Sequence, residues 1–243
     1  MESEAAIPAA TLVTIRERQG GPPELLMVER AEAMAFAGGA LVFPGGRIDE
    51  GDRALGAGAH DGAARLAAIR ETLEETAVPV AISPLPDREL ALELQAELLA
   101  ERSFAELLER HRLELDPALL VPLARWVPKF HVARRFDTLF FLARAPGPDW
   151  RPNAVEGECT GAFWITAADA LERERRGEAR LIFPTRRNLE RLALHASFAA
   201  MVADAKAHPV EPISPWVEER NGENFITIPE GLGYPVTREK LDR

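Results

Sequence analysis

The segment 63–76 limits the possible folds of this chain more than any other part of the sequence. Its apolar residues Leu66, Ile69 and Leu73 recur at helical spacing, which predicts an amphipathic helix that buries one stripe. Asp61 is expected to cap the start of the helix, because an Asp side chain accepts hydrogen bonds from the first free amides. The proline three residues beyond the segment is expected to end the helix.

Three glutamates, Glu71, Glu74 and Glu75, share the opposite face of this helix, because residues three and four positions apart lie side by side. Like charges at this spacing destabilise a helix by about 0.2–0.5 kcal/mol per pair, and Arg70 is the nearby cation. One interpretation is an ordinary solvated acidic face. The other is a site for a hard cation such as Mg²⁺ or Mn²⁺, which prefers carboxylate oxygens as ligands.

A glycine turn before the helix favours the cation site. Phe43-Pro44-Gly45-Gly46 ends a short apolar run, and glycine allows the backbone to approach a ligand closely. A backbone carbonyl from this turn would add an oxygen ligand to those that the glutamates offer. We therefore expect Gly45 to approach the substrate and Gly46 to contribute to the metal site.

The rest of the chain predicts strands and helices without an internal repeat. Residues 51–62 are rich in glycine and alanine and predict a loop, and Asn221-Gly222 between two alternating segments predicts a hairpin. Ser103 and Glu106 match a capping box, which predicts a second helix within 87–112. The predicted strands are 11–15, 25–28, 40–43, 119–127, 136–143 and 162–165, and the other predicted helices are 87–112 and 187–205, the latter with Thr185 as cap.

Composition indicates one acidic domain that spans residues 1–243, with a helical insertion at 85–116 and a C-terminal extension at 210–243. The insertion is interpreted as a substrate lid, an oligomer interface or a structural decoration. The 39 acidic residues exceed the 29 basic ones by 10, which argues against nucleic acid or an anionic membrane as partner. The single Cys159 excludes an internal disulfide and a cysteine zinc site. We expect a cytoplasmic protein, and a homodimer that exchanges the C-terminal hairpin is a further hypothesis.

The run from Gly46 to Arg70-Glu71-Thr72-Leu73-Glu74-Glu75-Thr76-Ala77-Val78 resembles the Nudix box, G-x5-E-x7-R-E-U-x-E-E-x-G-U, where U is bulky and apolar. The chain departs from this pattern at four points. Asp52 stands in place of the first glutamate, and 17 residues separate it from Arg70 where the box has seven. Ala77 replaces the late glycine, and Thr72 occupies an apolar position.

The lengthened box is similar to that of the mammalian peroxisomal coenzyme A diphosphatases, which carry insertions at this place. Segments 134–141, 163–165 and 181–185 resemble the same branch, and the resemblance covers roughly residues 9–205. It implies an α/β/α sandwich around a mixed sheet and metal-dependent hydrolysis of a nucleoside diphosphate conjugate, with coenzyme A or an acyl-CoA as the expected substrate. The alternative is a non-catalytic Nudix module that binds a nucleotide and regulates a partner.

The resemblance also implies roles for single residues. Glu74 and Glu75 would bind the metal, and Glu71 would be a third ligand or would orient the attacking water. Arg70 would hold the glutamates by ion pairing. The general base would be a box glutamate or a carboxylate on a later loop, for which Glu158 is the first candidate and Glu156 the second.

Two arginines are candidates to bind a substrate phosphate. Arg47 directly follows the glycine pair, and Arg135 precedes a predicted strand. Arg134 and Arg135 are neighbours and so point to opposite faces, which allows one to face phosphate while the other faces solvent. We favour Arg135 for the phosphate, and a surface position is the alternative for each arginine.

Overall fold

The computed structural model describes residues 6–32, 37–127, 135–155, 157 and 159–241. Strands and helices follow one another along these ranges. They are β1 Ile7–Arg16, β2 Glu24–Arg30, β3 Leu41–Val42, β4 Gly45–Arg47, α1 Glu50–Leu55, α2 Gly62–Thr76, β5 Ile82–Ser83, α3 Arg88–Leu99, α4 Phe104–His111, β6 Glu114–Leu115, β7 Val121–Trp126, β8 Phe136–Arg144, β9 Cys159–Thr166, α5 Ala167–Arg175, α6 Phe183–Leu192, α7 Phe198–Ala207, β10 Pro212–Ile213, β11 Trp216–Arg220, β12 Glu223–Thr227 and β13 Arg238–Lys240.

A mixed eight-stranded sheet forms the centre of the molecule. Its main path runs β10-β7-β8-β1-β2-β3, with β4 paired to β1 and β9 paired to β2. The strand β1 pairs in parallel with β8 from Ile7 opposite Phe136 to Ile15 opposite Arg144. Its other edge pairs antiparallel with β2 at one end and with β4 at the other. The first strand of the chain therefore lies inside the sheet.

Helices cover both faces of this sheet. Successive residues of a strand point to opposite faces, so Leu12 belongs to the same apolar cluster as Leu73 of α2 and Leu107 of α4, whereas Val13 belongs to the cluster on the other face with Leu189 of α6 and Met201 of α7. All of these side chains are buried. The α/β/α sandwich with a mixed sheet that the resemblance implies is therefore confirmed.

The helix α2 buries Leu66, Ile69 and Leu73, as predicted. It ends at Thr76, before the proline that was expected to stop it. Ala77 has a left-handed conformation (φ 53°) and its N–H donates to the Leu73 carbonyl. Asp61 precedes the helix, but its side chain makes no capping hydrogen bond. That prediction is wrong, because the left-handed conformation of Asp61 is not the extended one of a capping residue.

The loop predicted for residues 51–62 is wrong in its first half, where α1 forms. Asp49 caps this short helix, and its carboxylate accepts from the Asp52 N–H at 2.7 Å. The Asp52 carboxylate in turn accepts from the Asp49 N–H at 3.0 Å. This reciprocal capping box stabilises a helix whose glycine and alanine content had suggested a loop.

The start of α2 touches the end of α1 through two glycines. A Cβ on Gly56 would lie 2.3 Å from the Ala63 nitrogen and 2.4 Å from the Gly62 carbonyl carbon. Gly56→Ala is expected to lower the free energy of unfolding by about 1–3 kcal/mol, because the backbone must shift to admit the methyl group. Urea unfolding measures the change.

Gly147→Ala is the matched control, since a Cβ on Gly147 would meet no atom within 4 Å. A Gly56→Ala midpoint equal to that of the control would show that the contact between α1 and α2 is looser than described.

The predicted helix 87–112 divides into α3 and α4. The Ser103 side chain accepts from the Glu106 N–H and caps α4, as predicted. The predicted long helix 187–205 is wrong, because α6 and α7 are separate and Ser197 caps the second. Thr185 lies inside α6 and is buried, since Pro184 occupies the first turn and the helix begins before it.

The C-terminal residues form a small antiparallel sheet of β11, β12 and β13. Asn221 and Gly222 connect the first two strands with φ values of 53° and 78°, which is the turn that an Asn-Gly pair favours. The predicted hairpin is therefore present. No helix within the described ranges has the length and apolar character needed to cross a membrane.

Candidate active site

The glycine turn lies directly against the glutamate face of α2. The Gly45 N–H donates to the Glu75 carboxylate at 3.2 Å. A Cβ on Gly46 would lie 2.5 Å from a carboxylate oxygen of Glu71, so a larger residue at this place would displace the Glu71 carboxylate. The strand β4 thus brings backbone groups and two glutamates together, as expected from the sequence.

Arg70 is the centre of an ion-pair network beside this turn. Its guanidinium donates twice to the Asp52 carboxylate, at 3.1 and 2.9 Å. It also contacts Glu74 at 3.1 Å and Glu71 at 3.0 Å. A further hydrogen bond of 3.0 Å reaches the Arg47 carbonyl. One buried side chain therefore fixes two glutamates relative to α1 and β4.

Asp52 explains how the chain keeps a carboxylate at the altered box position. Its side chain is only 1% exposed and lies against Arg70. Burial raises the pKa of Asp52, and the hydrogen bonds from Arg70 oppose that rise. The residues between Asp52 and Arg70 form the end of α1, the connection and the first turns of α2, so the lengthened box still brings the two side chains into contact.

Negative charge exceeds positive charge at this site. Burial raises the pKa of Glu71 to about 7, and the positive charge of Arg70 opposes this rise. Within the described ranges, five carboxylates face two guanidinium groups. The carboxylates are those of Asp49, Asp52, Glu71, Glu74 and Glu75, and the guanidinium groups are those of Arg30 and Arg70. Carboxylates in excess are the donor set that a hard divalent cation requires.

Arg30 partly matches a motif of coenzyme A diphosphatases that precedes the glycine pair, but the sequence did not assign it to the site. It ends β2 and its guanidinium lies 3.6 Å from the Glu75 carboxylate. Its buried Nε atom has no hydrogen-bond partner among the described residues. The available signal was a single arginine at the end of an apolar strand, and nothing local connects it to a glutamate 45 positions later.

A cavity of about 380 Å³ opens beside the network. It lies between α1, α2 and the turn from α3 to α4. Arg70 and Glu74 line one side of the cavity, and Arg102 and Phe104 at the turn from α3 to α4 line another. The turn from α3 to α4 therefore reaches the glutamate face of α2.

The remaining predicted site residues have different positions. The Arg47 side chain is exposed, and the carbonyl of this residue makes the contact with Arg70. Arg135 directly precedes β8, where its carbonyl accepts from the Ile7 N–H at 2.8 Å. Glu156, Glu158 and Arg134 lie outside the described residues, so the structure does not place the predicted base.

No group of three or more His, Cys, Asp or Glu side chains in the described ranges has the arrangement of a preformed metal site. Glu71 and Glu74 contact Arg70, whereas Glu75 contacts Gly45 and Arg30. Metal binding would therefore require these carboxylates to share or exchange their present partners. Cys159 is buried and unbonded to another cysteine.

No family model matches the chain. Among solved structures, a NUDIX hydrolase from Alicyclobacillus acidocaldarius is 30% identical, with a TM-score of 0.72; the match covers 82% of this chain and 96% of the other. A MutT NUDIX hydrolase from Burkholderia pseudomallei is 17% identical, with a TM-score of 0.42. That match covers 77% of this chain and 98% of the other. The NUDIX domain of Shewanella oneidensis NrtR, complexed with ADP ribose, is 16% identical with a TM-score of 0.47, covering 77% and 86%.

The assignment rests on the first of these structures, which is similar in sequence as well as in fold. Its match spans 96% of that protein and 82% of this one. The Arg70 network and the glutamate face agree with the motif read from the sequence. The chain belongs to the Nudix hydrolases, enzymes that act on phosphorus-containing anhydrides.

Proposed function

We propose that this chain is a divalent-metal-dependent pyrophosphohydrolase that cleaves the diphosphate bridge of a nucleoside diphosphate derivative. The observation that carries the proposal is the excess of carboxylates on α2, held by Arg70 against the glycine turn. A diphosphate is itself anionic, so an acidic site can accept it only together with cations. A solvated acidic face would not need a buried arginine to organise it.

The residues fit a magnesium or manganese ion by the chemistry of their donor atoms. The carboxylates of Glu71, Glu74 and Glu75 and the carbonyl of Gly46 are the oxygen ligands that we assign to it. When bound, the cation supplies charge neutralisation at the phosphates and acidifies a coordinated water. Glu158 remains our candidate for a base outside the box, with Glu156 second.

Arginines supply the rest of the substrate contacts in this proposal. The guanidinium of Arg30 lies 3.6 Å from the Glu75 carboxylate, and we assign this guanidinium to a phosphate oxygen. A planar guanidinium suits this role because it donates along fixed directions. Arg47 and Arg135 remain further candidates, and Arg70 acts by holding the glutamates and not by touching the substrate.

Coenzyme A or an acyl-CoA is the substrate that we propose within this class. The support comes from the lengthened box and from segments 134–141, 163–165 and 181–185, which resemble the coenzyme A diphosphatases. The products would be a 3′,5′-bisphosphate nucleotide and a phosphopantetheine species. The protein would then act on a soluble small molecule in the cytoplasm.

Product identification by mass spectrometry tests this function. Purified protein with Mg²⁺ is incubated with coenzyme A, acetyl-CoA, ADP-ribose, NADH and a dinucleoside polyphosphate. We expect cleavage of coenzyme A or acetyl-CoA, and we expect EDTA to reduce it to the rate without enzyme, because the anionic diphosphate then lacks its cation. Manganese added in excess over EDTA should restore it.

Each other outcome has a definite meaning. Cleavage of a different compound alone would support the hydrolase function and exclude coenzyme A as its substrate. Cleavage that persists in EDTA would contradict the proposed dependence on a metal ion. If no compound is cleaved but one of them binds tightly, the result would favour a nucleotide-binding regulatory module over an enzyme.

A further inference from the structure

A buried glutamine of the helical insertion contacts the end of the glutamate-bearing helix. Gln95 of α3 is 3% exposed. Its Nε2 atom donates to the Glu74 carbonyl at 2.9 Å and to the Asn153 carbonyl at 3.0 Å. Its Oε1 atom accepts from the Asn153 side-chain amide at 2.7 Å. Both ends of the Gln95 amide are therefore used.

These contacts satisfy the last carbonyl groups of α2, which have no partner within the helix. The Thr76 carbonyl accepts from the Asn153 N–H at 2.8 Å, and the Ala77 carbonyl accepts from the Trp150 indole at 3.1 Å. The Gln95 side chain donates to the Glu74 carbonyl. The turn that carries Glu74 and Glu75 is thus closed by two segments far away in sequence.

The surroundings of Gln95 show that packing alone does not require an amide. Ala91, Leu94 and Leu98 are the other buried residues of α3, so the buried face of this helix is otherwise apolar. A buried amide is costly unless its groups are hydrogen-bonded. An apolar side chain would fill the same volume but would leave the Glu74 and Asn153 groups without these partners.

We propose that Gln95 and Asn153 form a positioning pair that fixes the backbone of Glu74 and thereby aims the Glu74 and Glu75 carboxylates. The proposal rests on the proposed hydrolase function and deepens it. It assigns the helical insertion a part in turnover, since the insertion supplies Gln95. Neither residue touches the substrate, so the pair acts on the rate through the glutamates.

Gln95→Met tests the pair, because methionine has nearly the same length and makes no such hydrogen bonds. We expect kcat to fall by roughly 10–100-fold, the range of losses for residues that orient a metal ligand, with KM changed by less than about twofold. Asn153→Ala is a second variant in a loop, useful if the first folds poorly. The double variant should lose no more than the worse single variant, because the two residues act as a unit.

Leu107→Ala is the matched control for loss of stability. Leu107 is a fully buried residue of the same insertion, and its side chain has no hydrogen-bonding group. Unfolding midpoints are measured for all variants, and kinetics are measured where each is folded. A control that loses as much kcat as Gln95→Met, or additive losses in the double variant, would overturn the proposal.

Two readouts keep this proposal separate from the proposed function. Hydrogen exchange of the peptide covering residues 70–78, read by mass spectrometry and compared at matched loss of stability, should rise more in Gln95→Met than in Leu107→Ala. Mn²⁺ binding, followed by electron paramagnetic resonance, should weaken by about tenfold or more. If the wild-type protein cleaves none of the substrates, the proposed hydrolase function is rejected without deciding the positioning pair. Unchanged hydrogen exchange and unchanged Mn²⁺ binding in Gln95→Met would reject the positioning pair.

Discussion

Replacing Glu74 with glutamine is expected to reduce kcat by roughly 100-fold or more while the protein stays folded. Glutamine keeps the shape of the side chain and removes the charge that would bind the cation. The Glu74 side chain is 27% exposed, and Arg70 retains Asp52 and Glu71 as partners. We therefore expect the fold to be retained. Steady-state kinetics and urea unfolding measure the two effects separately.

Glu50→Gln is the matched control for the Glu74 variant. It makes the same chemical change on α1, where the Glu50 side chain is 94% exposed. The control should keep kcat within about twofold, in line with the small effects of surface substitutions. Full activity in Glu74→Gln would contradict the assignment of Glu74 as a metal ligand.

Arg70→Gln is expected to lower the free energy of unfolding by about 3–5 kcal/mol, because removal of one partner leaves a buried charge without compensation. Asp52 is that partner, with 1% of its side chain exposed. Turnover should fall as well, since Glu71 and Glu74 lose the cation that orients them. Urea unfolding and circular dichroism measure the loss of stability.

A double variant and a surface control test the cause of this loss. Arg70→Gln with Asp52→Asn should be more stable than Arg70→Gln alone, because the buried charge is then gone. Arg110→Gln removes a half-exposed arginine 3.8 Å from Glu97 and should leave the unfolding midpoint almost unchanged. An Arg70→Gln midpoint like that of this control would mean that the buried network contributes little to stability.

The parts of the fold that the sequence predicts well are those with a repeated local pattern. The stripe on α2, the apolar strands of the central sheet and the Asn221-Gly222 hairpin each depend on neighbours a few residues apart. Arg70, Glu71, Glu74 and Glu75 could also be found this way, since fewer than two turns of one helix carry all four. Their clustering with Gly45 and Gly46 follows from a motif in which spacing and geometry are linked.

The parts that the sequence does not predict depend on contacts between distant residues. The short helix α1 is held by its own caps and by the pair between Asp52 and Arg70, which a composition of glycine and alanine does not indicate. Arg30 meets a glutamate 45 positions away, and Gln95 meets Asn153 across 58 positions. No local periodicity marks such residues, because their role comes from the tertiary fold.

The interior position of β1 affects how the chain folds during synthesis. One edge of β1 can pair early, because β2 and β4 follow it closely. The other edge requires β8, which is complete only at Arg144. At about 5–20 residues per second, translation takes roughly 6–26 s to proceed from the end of β1 to that point. For this time a nascent chain exposes an apolar strand edge, the feature most prone to aberrant pairing, so chaperone binding near the ribosome should favour this strand.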